Sequence, residues 1–359
     1  MNFDLSDDQR MLHDSVERLV TERYQLEQRQ RYSEEPKGYS EAVWGEFVEL
    51  GLTMLPFAEA HGGLGLGGVE TLIVGEAFGR GLVIEPYLPS VVLAGTAIAQ
   101  GAGDQAEDML APIMAGKTLG ALADRAQVSS DDGILNGIAS VVIGGDVADL
   151  LVVPDGDGGW VVPADAEGVE VRSYRLHGGG GAADVSFTNV SVGNSARLAD
   201  GCVTRALEAG IAFLAAEASG AMQAGLGLTV EYLNTREQFG KPIGTNQALQ
   251  HKAAEMLVEV EQAKSAAIYA ALLSDSANAE ERAKGMAAVK AVIGKTGRFL
   301  AQNIVQLHGG IGVSEEHVAS HYFRRLTAIG MLLGSTDEQL KRLAALGGFT
   351  GAESHQDAA

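Results

Sequence analysis

Apolar positions recur at helical spacing from the start of the chain. Met11, Leu12, Val16, Leu19 and Val20 fall three or four residues apart or adjacent, which stacks them on one helix face. Ser6 and Gln9 supply a start signal: a hydroxyl that caps, and a side chain three residues later that reaches back. The same reading predicts a second helix over 40–50, with Val43, Phe47 and Val48 facing inward and Gly51 ending it. Further helices are predicted over 69–79, 90–100 and 104–115.

Near Thr118 the texture changes. Residues 140–143, 150–153 and 159–162 are short Val-rich runs bounded by turn residues, which reads as strands. Residues 184–192 alternate polar and apolar, the period of a half-buried strand in an antiparallel sheet. From about Gly201 long Ala-rich helices return over 207–235, 247–274, 279–307 and 314–333, with a short one over 337–346. Small faces of this kind let helices approach closely, as in a bundle. The expected fold is mostly α with a central antiparallel β domain. The expected segments are 1–118 helical, 119–200 β, 201–347 a helical bundle and 348–359 a polar tail.

Length and composition narrow the function. A chain of 359 residues with 46% hydrophobic content is globular and too long for one small core. A net charge of -21 argues against nucleic acid and anionic membranes, though a local basic cluster could still hold an anion. No uninterrupted apolar run reaches about 18 residues, so no membrane insertion is expected. Cys202 is the sole cysteine and the N-terminus has no basic-then-apolar leader, so a cytoplasmic location is expected, with no metal site.

Two segments carry candidate chemistry. Arg236-Glu237-Gln238-Phe239-Gly240-Lys241-Pro242-Ile243 joins two long helices, and Gln247, Gln250, His251 and Lys252 open the second. A guanidinium, a glycine turn and a helix N-terminus together suit a pyrophosphate, though a plain helix–helix turn is an equal reading. Gln306-Leu307-His308-Gly309-Gly310-Ile311-Gly312 ends another helix, where glycines serve either a ligand or a helix cap.

The two segments together, in this order, resemble the acyl-CoA dehydrogenase family. The opening Phe3-Asp4-Leu5-Ser6-Asp7-Asp8-Gln9, the stretch from Gly51-Leu52 to Pro56 and His61-Gly62-Gly63-Leu64-Gly65 add to the likeness, which covers nearly the whole chain. The resemblance implies a helical N-terminal domain, a small β domain and a C-terminal four-helix bundle. It implies FAD between subunits and α,β-desaturation of an acyl-CoA, in fatty acid or steroid side-chain degradation. It also implies an electron-transfer flavoprotein or similar acceptor. Carried over residue by residue, Arg236, Phe239, Gln247, Gln306, Gly309 and Gly310 are the positions that reach a neighbour's flavin nucleotide.

The chain also departs from the family pattern. Where the family has a TEPxAGSD-like stretch, residues 121–128 read Ala-Leu-Ala-Asp-Arg-Ala-Gln-Val, with Asp124 the one acidic member. Val141-Val142-Ile143 stands where a Trp-Ile-Thr strand is usual. The two positions that hold the catalytic Glu in the family fall on Leu333 and Gly210. Desaturation needs a carboxylate to remove a weakly acidic C–H proton, so the catalytic residue of this chain is unassigned. Motifs that serve a neighbour persist and motifs that serve the chain's own site are lost. That pattern, with Tyr322-Phe323-Arg324-Arg325-Leu326, is similar to small subunits of heteromeric acyl-CoA dehydrogenases such as those acting on pimeloyl-CoA. The expectation is a dimer or tetramer with a homologous catalytic subunit. The alternatives are a homomeric enzyme with a displaced base at Glu208, Asp124 or Asp337, or a flavin-free scaffold.

Other signals are discounted. Gly63, Gly65 and Gly68 match GxGxxG without a preceding strand. His317 and His321 share a predicted helix without a third metal ligand. Arg324 and Arg325 read either as a site for an anion such as the CoA phosphate or as a surface salt-bridging pair, and Lys290, Lys295 and Arg298 as a solvated stripe. Ser219 and Ser335 lack a hydrolase setting.

Overall fold

Ser6 opens the first helix as its sequence asks. Its hydroxyl accepts from the Gln9 N–H at 3.1 Å, and the Gln9 side chain accepts from the Ser6 N–H at 2.9 Å. The computed structural model describes residues 4–348. Phe3 and all but the first residue of the expected polar tail lie outside the described residues. Helix α1 (Asp7–Arg23) turns Val16 and Val20 inward. Helix α2 (Leu26–Glu34) has no apolar period to reveal it; its one buried residue is Arg29. In α3 (Glu41–Glu49) the inward residues are Val43, Trp44 and Phe47; Val48 is only half-buried, because the bulkier indole takes the core position. Then come α4 (Gly68–Gly81), a π-helical turn (Leu88–Gly95) that is buried all round, α5 (Thr96–Gly101) and α6 (Ala106–Met114).

Eight strands follow: β1 (Gly120–Leu122), β2 (Ala126–Asp131), β3 (Ile134–Ile143), β4 (Leu150–Asp155), β5 (Gly158–Pro163), β6 (Val169–Arg175), β7 (Gly181–Ser191) and β8 (Arg197–Leu198). They form two four-stranded sheets ordered β1-β4-β5-β8 and β2-β3-β7-β6. The second sheet is antiparallel throughout; β7 alternates as predicted over 184–187, and its phase slips at Thr188–Asn189, where Asn189 takes φ 53° and the pairing with β3 shifts register. The first sheet is not wholly antiparallel, since β1 pairs with β4 in parallel. Leu122, Val152 and Leu198 side with the helical core, whereas Leu135, Val142, Leu151, Val162, Val185 and Phe187 form a separate core between the sheets.

The C-terminal helices are α7 (Cys202–Thr235), α8 (Gln247–Ser274), α9 (Ala279–His308), α10 (Val318–Met331) and α11 (Thr336–Ala345). A two-stranded tip, β9 (Glu237–Gln238) and β10 (Lys241–Pro242), joins α7 to α8. The N-terminal and C-terminal helices share one hydrophobic core, with α7 running through it. Helix α7 is long and apolar enough by length and composition to cross a membrane, and 72% of its apolar window is buried inside the protein. Its packing on α4 is close. A Cβ on Gly79 would strike the carbonyl of Glu217, and one on Gly220 the carbonyl of Glu76. The expected basic stripe on α9 does not exist. Lys290 is wholly buried and donates to the Gly334 carbonyl at 2.8 Å, whereas Lys295 and Arg298 are exposed.

Candidate functional site

The α7–α8 tip and the end of α9 lie at the same end of the bundle. Tyr232, one turn before Arg236, stacks on His308 with ring centroids 4.6 Å apart, and His308 directly precedes Gly309. Arg236, Phe239, Gln247, Gln306, Gly309 and Gly310 are all exposed there. Among the described residues the Arg236 guanidinium has no hydrogen-bond or ion-pair partner. Phe239 is 100% exposed, held at positive φ (55°) on the turn before Gly240. A fully exposed phenyl and an unpaired guanidinium thus share this tip.

Local geometry explains each element of this surface. Asn246 precedes α8 without capping it through its side chain, so the first N–H groups of α8, beginning at Gln247, lack a side-chain acceptor. Gly309 ends α9 with φ 64° and ψ -142°, a conformation that only glycine holds without strain. A Cβ on Gly310 would meet nothing within 4 Å, so the fold does not itself require glycine there. Bare backbone, a free helix N-terminus and an unpaired guanidinium suit a phosphate-bearing group.

The two positions expected to carry a catalytic carboxylate converge, and both are apolar. Leu333 is buried, and its Cδ1 would lie 2.6 Å from a Cβ on Gly210; Leu93 Cδ2 would lie equally close at 2.6 Å. Leu333 sits at φ 53° on the turn after α10. Its carbonyl accepts from Gln339 Nε2 at 2.8 Å, and Lys290 holds the next carbonyl, so the turn is fixed with the leucine inward. Burial lowers the Lys290 ammonium to about 8.

Other acidic groups are differently engaged. Glu208 is buried, and its Oε2 accepts from Arg205 and Arg282 at 3.0 Å each, so two cations hold it as a structural ion pair. Glu217 is clamped by Arg325 at 2.5 and 2.7 Å, which also places Arg325 inside the protein instead of on its surface. Asp337 is exposed in the first turn of α11. Asp124 is different: burial pushes its carboxyl up to about 6, and the adjacent Arg125 donates to the Met331 carbonyl at 3.3 Å, near the Leu333 turn.

The discounted signals have structural explanations. A Cβ on Gly63 would strike the Phe57 carbonyl, one on Gly68 the Ala271 carbonyl, and Gly65 takes φ 63°. Ser335 caps α11 and Ser219 donates to Glu76 at 2.7 Å. His317 caps α10 instead of sharing a helix face with His321. Sequence reasoning did not find Leu93, nor the stacking of Tyr232 on His308. Neither has a local signal, because each contact joins segments far apart in the chain.

Residues 6–117 match the model of the acyl-CoA dehydrogenase N-terminal domain, and residues 201–346 that of the C-terminal domain. The chain belongs to the acyl-CoA dehydrogenase family. It is 31% identical over 349 residues to acyl-CoA dehydrogenase IpdE2 of Mycolicibacterium smegmatis, covering 95% of this chain and 99% of that one. It is 29% identical over 327 residues to acyl-CoA dehydrogenase FadE27 of Mycobacterium tuberculosis, covering 85% and 87%. Among solved structures, the Tcur3481–Tcur3483 steroid ACAD variant superposes with TM-score 0.87 at 26% identity, over 95% of this chain and 97% of that one. The ChsE4–ChsE5 complex from Mycobacterium tuberculosis has the same fold, with TM-score 0.88 at 24% identity over 96% and 98%. The acyl-CoA dehydrogenases are oxidoreductases, and in this member both expected base positions are apolar.

Proposed function

We propose that this chain is a subunit of an FAD-dependent acyl-CoA dehydrogenase, and that it completes the flavin site of a homologous catalytic partner. The observation that carries this reading is the contrast between two surfaces. One is exposed, cationic and unpaired around Arg236, Phe239, Gln247, Gln306, Gly309 and Gly310. The other is closed by Leu333 against Gly210 and Leu93. FAD held by these residues would supply an acceptor for the hydride that leaves Cβ of the acyl thioester. Arg236 would neutralise pyrophosphate charge, Gly309 and Gly310 would let the dinucleotide approach backbone, and Phe239 would exclude water at the subunit seam. The partner would supply the carboxylate. An electron-transfer flavoprotein or similar acceptor would reoxidise the assembly. The substrate class is an acyl-CoA; the steroid ACAD neighbour, whose name pairs two components, supports a steroid-derived acyl group and a two-component enzyme.

The test is purification of the chain alone and together with the product of a neighbouring gene encoding a longer homologue. The isolated chain is expected to carry little flavin and no desaturase activity, and the complex to be yellow and active. Full flavin content and full activity of the isolated homomer would overturn the reading.

One observation favours a second reading. A carboxyl held at about 6 is suited to general-base work near neutral pH, and Asp124 has that value, next in the chain to Arg125, which donates to the Met331 carbonyl. On this reading the homomer is active and Asp124→Asn abolishes its activity while leaving flavin bound.

A further inference from the structure

The side chain of Arg29, from the helix that periodicity did not reveal, is 7% exposed. Its Nε donates to the Leu82 carbonyl at 2.8 Å and its Nη1 to Nδ1 of His321 at 3.2 Å. No carboxylate among the described residues lies within ion-pair distance of it. Arginine has no acceptor atom, so His321 Nδ1 must be unprotonated and its Nε2 must donate to the Glu315 carbonyl, 2.9 Å away. The histidine is therefore neutral.

Arg29 faces a cleft of about 210 Å³, lined also by Arg175, His177, Arg324 and the glycine turn 178–180. The one carboxylate in the lining, Glu315, is engaged by Arg324 at 2.5 Å. Arg175 is engaged by Asp146 at 2.9 Å, and the nearby Arg325 by Glu217. Each neighbouring arginine thus has its own counter-ion and Arg29 has none. Burial and the fields of Arg325 and Arg324 lower the Arg29 guanidinium to about 10, against a smaller opposing effect of Glu315. The backbone is shaped to admit these cations. Gly179 takes φ +99°, and a Cβ there would lie 2.6 Å from Arg29 Nη2. Gly38 takes φ +74°, and a Cβ there would strike the Arg175 guanidinium. A buried cation without a counter-ion is costly in any protein, and in one of net charge -21 a pocket of arginines is not a by-product of composition.

We propose that this cleft, walled by Arg29, Arg175, Arg324 and the 178–180 glycine turn, binds a small oxyanion ligand whose charge is the missing counter-ion of Arg29. It shares no residue with the Arg236 surface and is independent of the flavin reading. Phosphate and carboxylate are both compatible with arginine forks.

The test is thermal unfolding of the full chain, or of its complex with a partner, titrated with inorganic phosphate and separately with citrate at fixed ionic strength. A saturable rise in Tm with either probe is expected; phosphate alone assigns a phosphoryl ligand and citrate alone a carboxylate. Arg29→Met should abolish the saturable rise and unfold no earlier than wild type without the probe. Arg324→Gln, at the rim, should weaken the apparent affinity about tenfold. A Tm that fails to respond saturably to either anion in the wild type would overturn the proposal. So would equal responses in wild type and Arg324→Gln.

Discussion

Burial holds the Glu85 carboxyl at about 8, with one oxygen accepting from the Ser40 N–H at 3.3 Å and the other without a partner. Between its unfolded value of 4.5 and about 8 the folded chain keeps this proton and the unfolded chain does not. Folding takes up a proton in that window, so stability falls as pH rises through it and the dependence ends above it. Glu85→Gln should remove that slope and leave the variant relatively more stable at pH 8 than at pH 5, as denaturant titrations at the two pH values would read. Arg236 is the other single residue on which much turns. In the flavin-bearing assembly Arg236→Ala should lower flavin retention about tenfold, since a charge-assisted contact to phosphate is lost; unchanged flavin absorbance would count against its proposed role. Legibility at this scale is uneven. Arg236 and the Gln306 turn stand out as strings of letters. Lys290 misleads, because a lysine's burial depends on carbonyls of the 330–334 turn that no spacing on α9 reveals.

Helices α4 and α7 meet through glycines, and two glycines of α7, one inside the contact and one outside it, answer oppositely to a side chain. Gly220 lies against the Glu76 carbonyl, whereas a Cβ on Gly227 would meet nothing within 4 Å. Gly220→Ala must push the helices apart and should cost about 3 kcal/mol or more. Gly227→Ala, in the same helix, should stabilise by about 0.5–1 kcal/mol through helix propensity. Urea unfolding of the two variants checks both signs, and equal effects would contradict the packing described. Element positions were largely legible, since α7, α8 and α9 carry a helical period and β4, β5 and β7 overlap the Val-rich or alternating runs that announce them. The exceptions are instructive. Helix α2 is polar on most sides and buries an arginine, so it leaves no hydrophobic stripe to find. Strands β1 and β2 lie in a stretch of small and polar residues, 120–131, whose pairing with β4 and β3 is decided by partners distant in the chain.

The whole molecule has one helical core, a β core beside it and an uncovered end bearing Phe239. Exposing a phenyl fully to water is unfavourable, and covering it is worth about 1.5–3 kcal/mol. The proposed assembly with a homologous subunit should therefore weaken about tenfold or more in Phe239→Ser, measured as a dissociation constant by light scattering on a dilution series. Unaltered assembly would remove Phe239 from the seam. The fold class was legible at this scale because the order of helix, strand and helix survives any error in boundaries. The sharing of one core by the two helical segments was not, since adjacency in space leaves no mark on sequence order.

The sequence by itself determined the helices and strands with a clear apolar period, the family and the absence of a carboxylate at the two expected base positions, 210 and 333. Those are local properties: a period of 3.6 or 2, a motif, a missing functional group. Only the tertiary structure decided that Leu333 closes on Gly210, that Glu208 and Glu217 are consumed by arginines, and that Arg29 is buried unpaired. Burial and charge pairing depend on which distant segment arrives opposite a side chain, and a charged residue is written the same way whether water or another charge will surround it.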